Sequence, residues 1–249
     1  MRKLAGWELV KKAVMPCNSV VNKVKMDKIK SNLVKAEKIA VRLFAEIEER
    51  NLIVAGKDEE TLNKEVFKLA KEVFNIEKHW HKRIVRSGAN TLYPYKENPP
   101  NKIIQEDDIL FFDFGPIIEN WEADVGRTYV IGKDPLKLKL KKDIEIAWKE
   151  TKNWFDTQTE VKASKLYEFA QNKATQYGWE FGGEIAGHLI GEFPHETLEP
   201  DTYQLYVHPN NHNNMLELDS NGQKRNWILE LHFVDKTTKI GGFYEQLLT

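Results

Sequence analysis

Only one cysteine, Cys17, stands among 249 residues, so no disulfide can form within the chain. The cross-linked architectures of small secreted domains are thereby excluded, and a reducing compartment is the expected setting. No apolar run approaches the roughly 18 residues of a membrane span. Neither sign of charge prevails, with 37 Lys and Arg against 38 Asp and Glu, which removes the basis for a general affinity for nucleic acid or an anionic membrane. Charges interrupt every apolar stretch from Met1 to Lys12, so a signal peptide is not expected. The cytoplasm is the compartment these absences leave. What the chain does have is 41% hydrophobic residues, enough for a substantial core.

Apolar positions from Leu33 to Ile47 fall at steps of three and four and predict an amphipathic helix over Ser31 to Arg50. The same period returns over Glu59 to Phe74. A β-rich stretch from Trp80 to Leu92 and a Pro-rich loop through Pro94, Pro99 and Pro100 follow. Further helices are expected at Leu136 to Phe155 and Ala163 to Tyr177, ahead of a strand-rich C-terminal region. Two helices and then strands, twice over, predict an α+β fold with pseudo-two-fold symmetry, a curved antiparallel sheet covered by two helix pairs. No linker interrupts the pattern, so one domain is expected over 1–249. Residues 1–30 form a basic arm, read as packing on the domain or on a second subunit, so a homodimer stays open.

The most informative feature is a pair of acidic hairpins. The run Ile109-Leu-Phe-Phe-Asp113-Phe, followed by Gly115-Pro116, predicts a hairpin centred between Ile118 and Glu119, which sets Asp113 opposite Asp124. Near the C-terminus, strands around Thr237-Thr238 set Glu230 opposite Glu245. Directly opposed side chains lie roughly 5 Å apart at Cβ, and like charges placed so repel. Two such pairs point to a cation between the partners. Between the hairpins, Gly187-His188-Leu-Ile-Gly191 and His195-Glu196 supply imidazoles. Two Asp, two Glu and a His form a hard, oxygen-rich donor set, suited to a pair of divalent metals rather than to a structural zinc.

These segments resemble the pita-bread metallopeptidase superfamily of methionine aminopeptidase, aminopeptidase P, prolidase and creatinase. The family pattern has an Asp, a second Asp eleven positions on within Asp-x-x-Arg-Thr, a Gly-His-x-Ile-Gly with a second His seven positions after the first, and two late Glu. Here those positions are Asp113, Asp124 with Arg127-Thr128, His188, His195, Glu230 and Glu245, in a match running from about Ser31 to the last residue. The resemblance implies the pita-bread fold and two divalent ions (Mn, Co, Fe or Zn) held by Asp113, Asp124, His188, Glu230 and Glu245. It also implies Glu230 as proton acceptor and His195 as a catalytic histidine near the substrate. The substrate pocket would be lined by Tyr95 and His81. Read as a strand, His79-Trp80-His81 turns both imidazoles the same way.

The chain departs from the pattern at one loop. Family peptidases carry a His, commonly after Pro, ahead of the first Asp, and Tyr95 of Pro94-Tyr95 stands there. A phenol keeps a hydrogen-bond donor but is a poor proton shuttle near neutral pH. The leading expectation is a dinuclear metal-dependent hydrolase that cleaves an amide bond, an aminopeptidase or dipeptidase acting on short peptides, nearest to a short aminopeptidase P-like member. The alternatives are a creatinase-like hydrolase of a non-peptide C–N bond and a non-catalytic binding protein retaining the metal site. Membranes and nucleic acid are not expected partners.

Overall fold

The computed structural model describes residues 18–194, 203–219 and 222–249, with side chains from residue 28. Helix α1 spans Asn18–Glu49 and α2 spans Glu59–Phe74. Strands β1 (Ile84–Ser87) and β2 (Ile109–Phe114) follow, then β3 (Ile117–Ile118), β4 (Trp121–Glu122) and β5 (Val125–Val130). A second helix pair, α3 (Pro135–Asp156) and α4 (Ala163–Tyr177), precedes β6 (Glu180–Phe181), β7 (Leu189–Ile190), β8 (Asn226–Asp235) and β9 (Ile240–Leu247). The antiparallel sheet runs β1-β2-β5-β9-β8-β6, with β7 also paired to β8. Two helices and then strands occur twice, as the periodicity predicts.

Local chemistry sets the helix ends. Asp58 caps α2 by accepting from the Thr61 amide, and Asn75 closes it in a left-handed conformation. Asp134 caps α3 ahead of Pro135, whose fixed φ suits the first helical turn. Helix α1 starts earlier than the apolar period alone indicates, so part of the basic arm is helical. The Lys-rich run before Ser31 has no apolar stripe to announce it, but lysine is a good helix former.

Two apolar cores lie between the helices and one face of the sheet. One joins α1 and α2 to β1, β2 and β5 through Phe44, Leu43, Val66, Phe112 and Phe114. The other joins α3 and α4 to β8 and β9 through Trp148, Leu166, Trp227 and Phe233. Alternation along β2 sends Leu110, Phe112 and Phe114 into the helical core, while Phe111 and Asp113 face the opposite side. That opposite side holds a cavity of about 490 Å³.

The first hairpin corrects the expected register. Its turn is Glu119-Asn120, both at positive φ, so Ile118 pairs with Trp121 and Asp113 pairs with Gly126 rather than Asp124. A two-residue loop with positive φ at both positions matches the strand twist. The second hairpin has the predicted register, with Glu230 opposite Glu245 and no bulge at Gly241-Gly242. The stretch from Trp80 to Leu92 contains only the short β1, followed by a 3-10 turn at Gly88–Leu92. His79-Trp80-His81 is not a strand; it forms a single bridge at His79 to Pro116 and then bends.

Candidate metal centre

A single row across the sheet builds the site. Ile84, Asp113, Gly126, Glu245 and Glu230 are successive partners on β1, β2, β5, β9 and β8. Asp124 lies two residues before Gly126, and a step of two keeps its side chain on the same face. The carboxylates therefore converge although Asp113 and Asp124 are not directly opposed. Gly126 gives the row its clearance, since a Cβ there would lie 2.5 Å from the Phe243 ring and 3.1 Å from the Glu245 Cβ.

Arg127 and Thr128 fasten this row. Arg127 Nη1 donates to the Glu245 carbonyl at 2.9 Å, and Thr128 Oγ1 both donates to the Phe243 carbonyl at 2.8 Å and accepts from its amide at 2.7 Å. The Arg-Thr dipeptide thus ties β5 to β9 where the row crosses. Arg127 clamps the strand pair through backbone carbonyls, and that is how it holds the neighbourhood of Asp124.

His188 reaches the row from the segment leading into β7. Its carbonyl accepts from Ile228 at 2.8 Å, which lays the Gly187-His188 backbone against β8. Only glycine permits this approach: Gly187 has φ +135°, and a Cβ would lie 2.0 Å from the Ile228 carbonyl oxygen. His188 Nδ1 donates to the Leu189 carbonyl at 2.8 Å, and Nε2 lies 3.0 Å from Asp124 Oδ2 and 3.7 Å from Glu245 Oε1.

His81 enters from the other side. Its Nε2 lies 3.1 Å from Asp124 Oδ1 and 3.6 Å from Asp113 Oδ1. Trp80 stands between the imidazoles, edge-on to His81 at 4.4 Å and to His188 at 5.2 Å, with its indole N–H donated to the Ala123 carbonyl. Nothing in the sequence marks that placement of Trp80 beyond its adjacency to His81. Tyr95 lines the cavity 46% exposed, its ring 5.6 Å from that of His81. His79 points elsewhere, against Phe67. His208 stacks on Tyr203 at the cavity rim with ring centroids 4.0 Å apart. His195 lies outside the described residues.

The electrostatics of so many buried acids are unfavourable. Burial raises the Glu230 carboxyl to about 7 and Asp113 to about 6, and Asp113 and Asp124 add repulsion at Glu230. Glu245 is pushed well above the ordinary range by burial and by Asp124, Asp113 and Glu230. Burial also opposes ionisation of Asp124, yet His81 and His188 outweigh it and hold that carboxylate low. Burial acts against the charged form of His81 too, but Asp124 and Asp113 prevail and lift it to about 10.

Glu245 is 2% exposed, and its Oε2 has no hydrogen-bond partner among the described residues. A buried carboxylate oxygen without a donor is costly. Surrounded by three further carboxylates, it calls for a cation, and the donor set fits one. Donor atoms of Asp124, His188 and Glu245 lie within 4.8 Å of one another, as do those of His81, Asp113 and Asp124.

Comparison with known proteins agrees with this geometry. A family model described as metallopeptidase family M24 matches residues 31–220. A Xaa-Pro dipeptidase of Pyrococcus horikoshii is 28% identical over 167 residues, which are 66% of this chain and 46% of that protein. The chain thus spans about half the length of that curated relative. The crystal structure of a dipeptidase from Pyrococcus horikoshii superposes with TM-score 0.70 at 21% identity, over 94% of this chain and 64% of that one. Methionine aminopeptidase from Rickettsia prowazekii superposes with TM-score 0.65 at 14% identity, over 89% of this chain and 92% of that one. The fold is the pita-bread fold of these enzymes, and the candidate ligand cluster lines the cavity on the sheet face away from the helices.

Proposed function

Because the chain belongs to metallopeptidase family M24, whose members are metal-dependent, we propose that it is a dinuclear metallohydrolase that releases residues from short peptides. The observation that carries this reading is the convergence of Asp113, Asp124, His188, Glu230 and Glu245 on one cavity, with a buried carboxylate oxygen that has no donor among the described residues. Those five residues would hold two divalent ions, with manganese, cobalt, iron and zinc all compatible with the donors. The dipeptidase activity in the name of the Pyrococcus relative supports an Xaa-Pro or similar short peptide as the substrate class.

Divalent ions held by those residues would supply Lewis-acid polarisation of the scissile carbonyl and a lowered pKa for water. The protein's own residues do the rest. Asp124 has one oxygen toward each half of the cluster, which orients both sets of ligands around it. Glu230, which lines the cavity, would accept the proton that the attacking water gives up and pass it to the leaving amine. His195, seven residues after His188, would steady the charge developing on the carbonyl oxygen. Phe111, Phe243 and Ile84 form an apolar floor that excludes water beside the acids. Tyr95 and His81 would contact the substrate from the loop side. The domain would act as one unit, with the cytoplasm as its setting and a homodimer as the assembly to look for.

The test is hydrolysis of a dipeptide panel by chelator-treated protein with and without added Mn²⁺ or Co²⁺. Metal-dependent release of the N-terminal residue, strongest on Xaa-Pro substrates, is expected. A metal-loaded protein inert on every peptide and aminoacyl amide would overturn the reading.

A further inference from the structure

His81 and His188 are disposed alike about Asp124. Each Nδ1 lies against the carbonyl oxygen of the next residue, Lys82 at 2.7 Å and Leu189 at 2.8 Å. A carbonyl only accepts, so Nδ1 carries the hydrogen in both rings and Nε2 faces the carboxylates. Metal-ligating histidines show this pattern, donating the far N–H to a carbonyl that fixes ring and tautomer. Nε2 of His81 meets Asp124 Oδ1 at 3.1 Å, and Nε2 of His188 meets Asp124 Oδ2 at 3.0 Å.

The approach of His81 is built in. Its side chain is 8% exposed, wedged between the edges of Trp80 and Tyr95. Gly115 makes room for it, since a Cβ there would lie 2.2 Å from Cδ2 and 2.3 Å from Nε2 of the imidazole. The half of the cluster formed by Asp113 and Asp124 otherwise holds only oxygens, and His81 is the nitrogen that faces it.

We propose that His81 is a sixth protein ligand, giving the metal position at Asp113 and Asp124 an imidazole of its own through Nε2. The inference rests on the dinuclear reading above and deepens it. Each ion would then have one nitrogen donor, with Asp124 lying between the two imidazoles. An imidazole in place of an oxygen or water favours later first-row ions at that position over manganese. His81 on this account coordinates metal, and Tyr95 is left as the loop-side group that meets substrate.

The experiment compares wild type, His81→Gln, His81→Ala and Asp124→Asn after chelator treatment, by calorimetric titration with Co²⁺ and by X-ray absorption of the loaded proteins. Wild type should bind two ions, with imidazole scattering from two histidines. His81→Gln keeps the side-chain volume and should retain one tight ion. Its other site should weaken by more than about a hundredfold, beyond the roughly 10–100-fold that loss of a supporting partner costs, and one imidazole should vanish from the absorption signal. Thermal unfolding in chelator separates a folding failure from a lost ligand. Two wild-type-like affinities and an unchanged imidazole count in His81→Gln would overturn the sixth ligand and leave the proposed function standing. Failure of wild type to bind any divalent ion, or Asp124→Asn binding as wild type does, would overturn the proposed function itself.

Discussion

Asp124 is the residue on which the site turns. It is 3% exposed, lies between two imidazoles, and is the one carboxylate whose neighbours hold it ionised against burial. Asp124→Asn should keep the fold, because the amide is isosteric, yet weaken metal binding by more than about tenfold and abolish hydrolysis. Unchanged metal stoichiometry by calorimetry would reduce Asp124 to a turn residue. We propose Tyr95 as the position where specificity diverges, since a phenol is a poor proton shuttle near pH 7, unlike the imidazole that the family resemblance implies there. Tyr95→His should therefore raise turnover of standard peptides at neutral pH. Brisk cleavage by wild type, unaltered by the substitution, would make Tyr95 a bystander. The acidic residues were legible because an Asp inside Ile-Leu-Phe-Phe-Asp-Phe demands a partner. His81 was harder to place, since its position depends on a bend after His79 and on the clearance at Gly115, neither of which follows a period.

At the scale of elements, helices were legible and one hairpin register was not. The boundaries of α2 and α4 follow from apolar spacing and local caps, both of which are read within a few residues. The Asp113 hairpin depends on where the turn falls, and Glu119 in a left-handed conformation has no strong sequence signal. The site is unaffected by this difference in register, because a partner displaced by two residues keeps its side chain on the same face. A displacement by one would have removed Asp124 from the cavity. The His188 segment depends on a glycine in a region closed to other residues. Gly187→Ala should cost about 1–3 kcal/mol for the backbone conformation alone and should lower metal affinity by pushing His188 off β8. Urea unfolding and metal titration would measure both. A variant as stable as wild type that binds metal equally would show that the close approach to Ile228 is dispensable.

At the scale of the molecule, the site holds buried like charges that folding alone cannot compensate, so stability and metal binding are linked. In metal-free protein, His81 has a folded pKa of about 10 against an ordinary 6.5. Its contribution is complete below pH 6.5 and lost as pH rises toward 10. His188 is raised as well and acts in the same direction. Glu245, held above its ordinary value, adds a penalty once ionised. His79 and His232, lowered to about 3 and about 4, are already neutral in both states above pH 7 and do not offset this loss. The melting temperature in chelator should therefore fall between pH 7 and 9. With Mn²⁺ in excess the fall should be absent, because ligand deprotonation favours binding. Parallel pH profiles with and without metal would contradict the linkage.

We propose that the acid-lined face of the sheet holds a pair of divalent ions. Anomalous diffraction from crystals soaked in Mn²⁺ or Co²⁺ tests it most directly. Two peaks roughly 3.5–4 Å apart, flanking Asp124 and within ligand distance of Asp113, His188, Glu230 and Glu245, are the predicted result. A map with no peak in that cluster, from protein that is folded and saturated with metal, would contradict it.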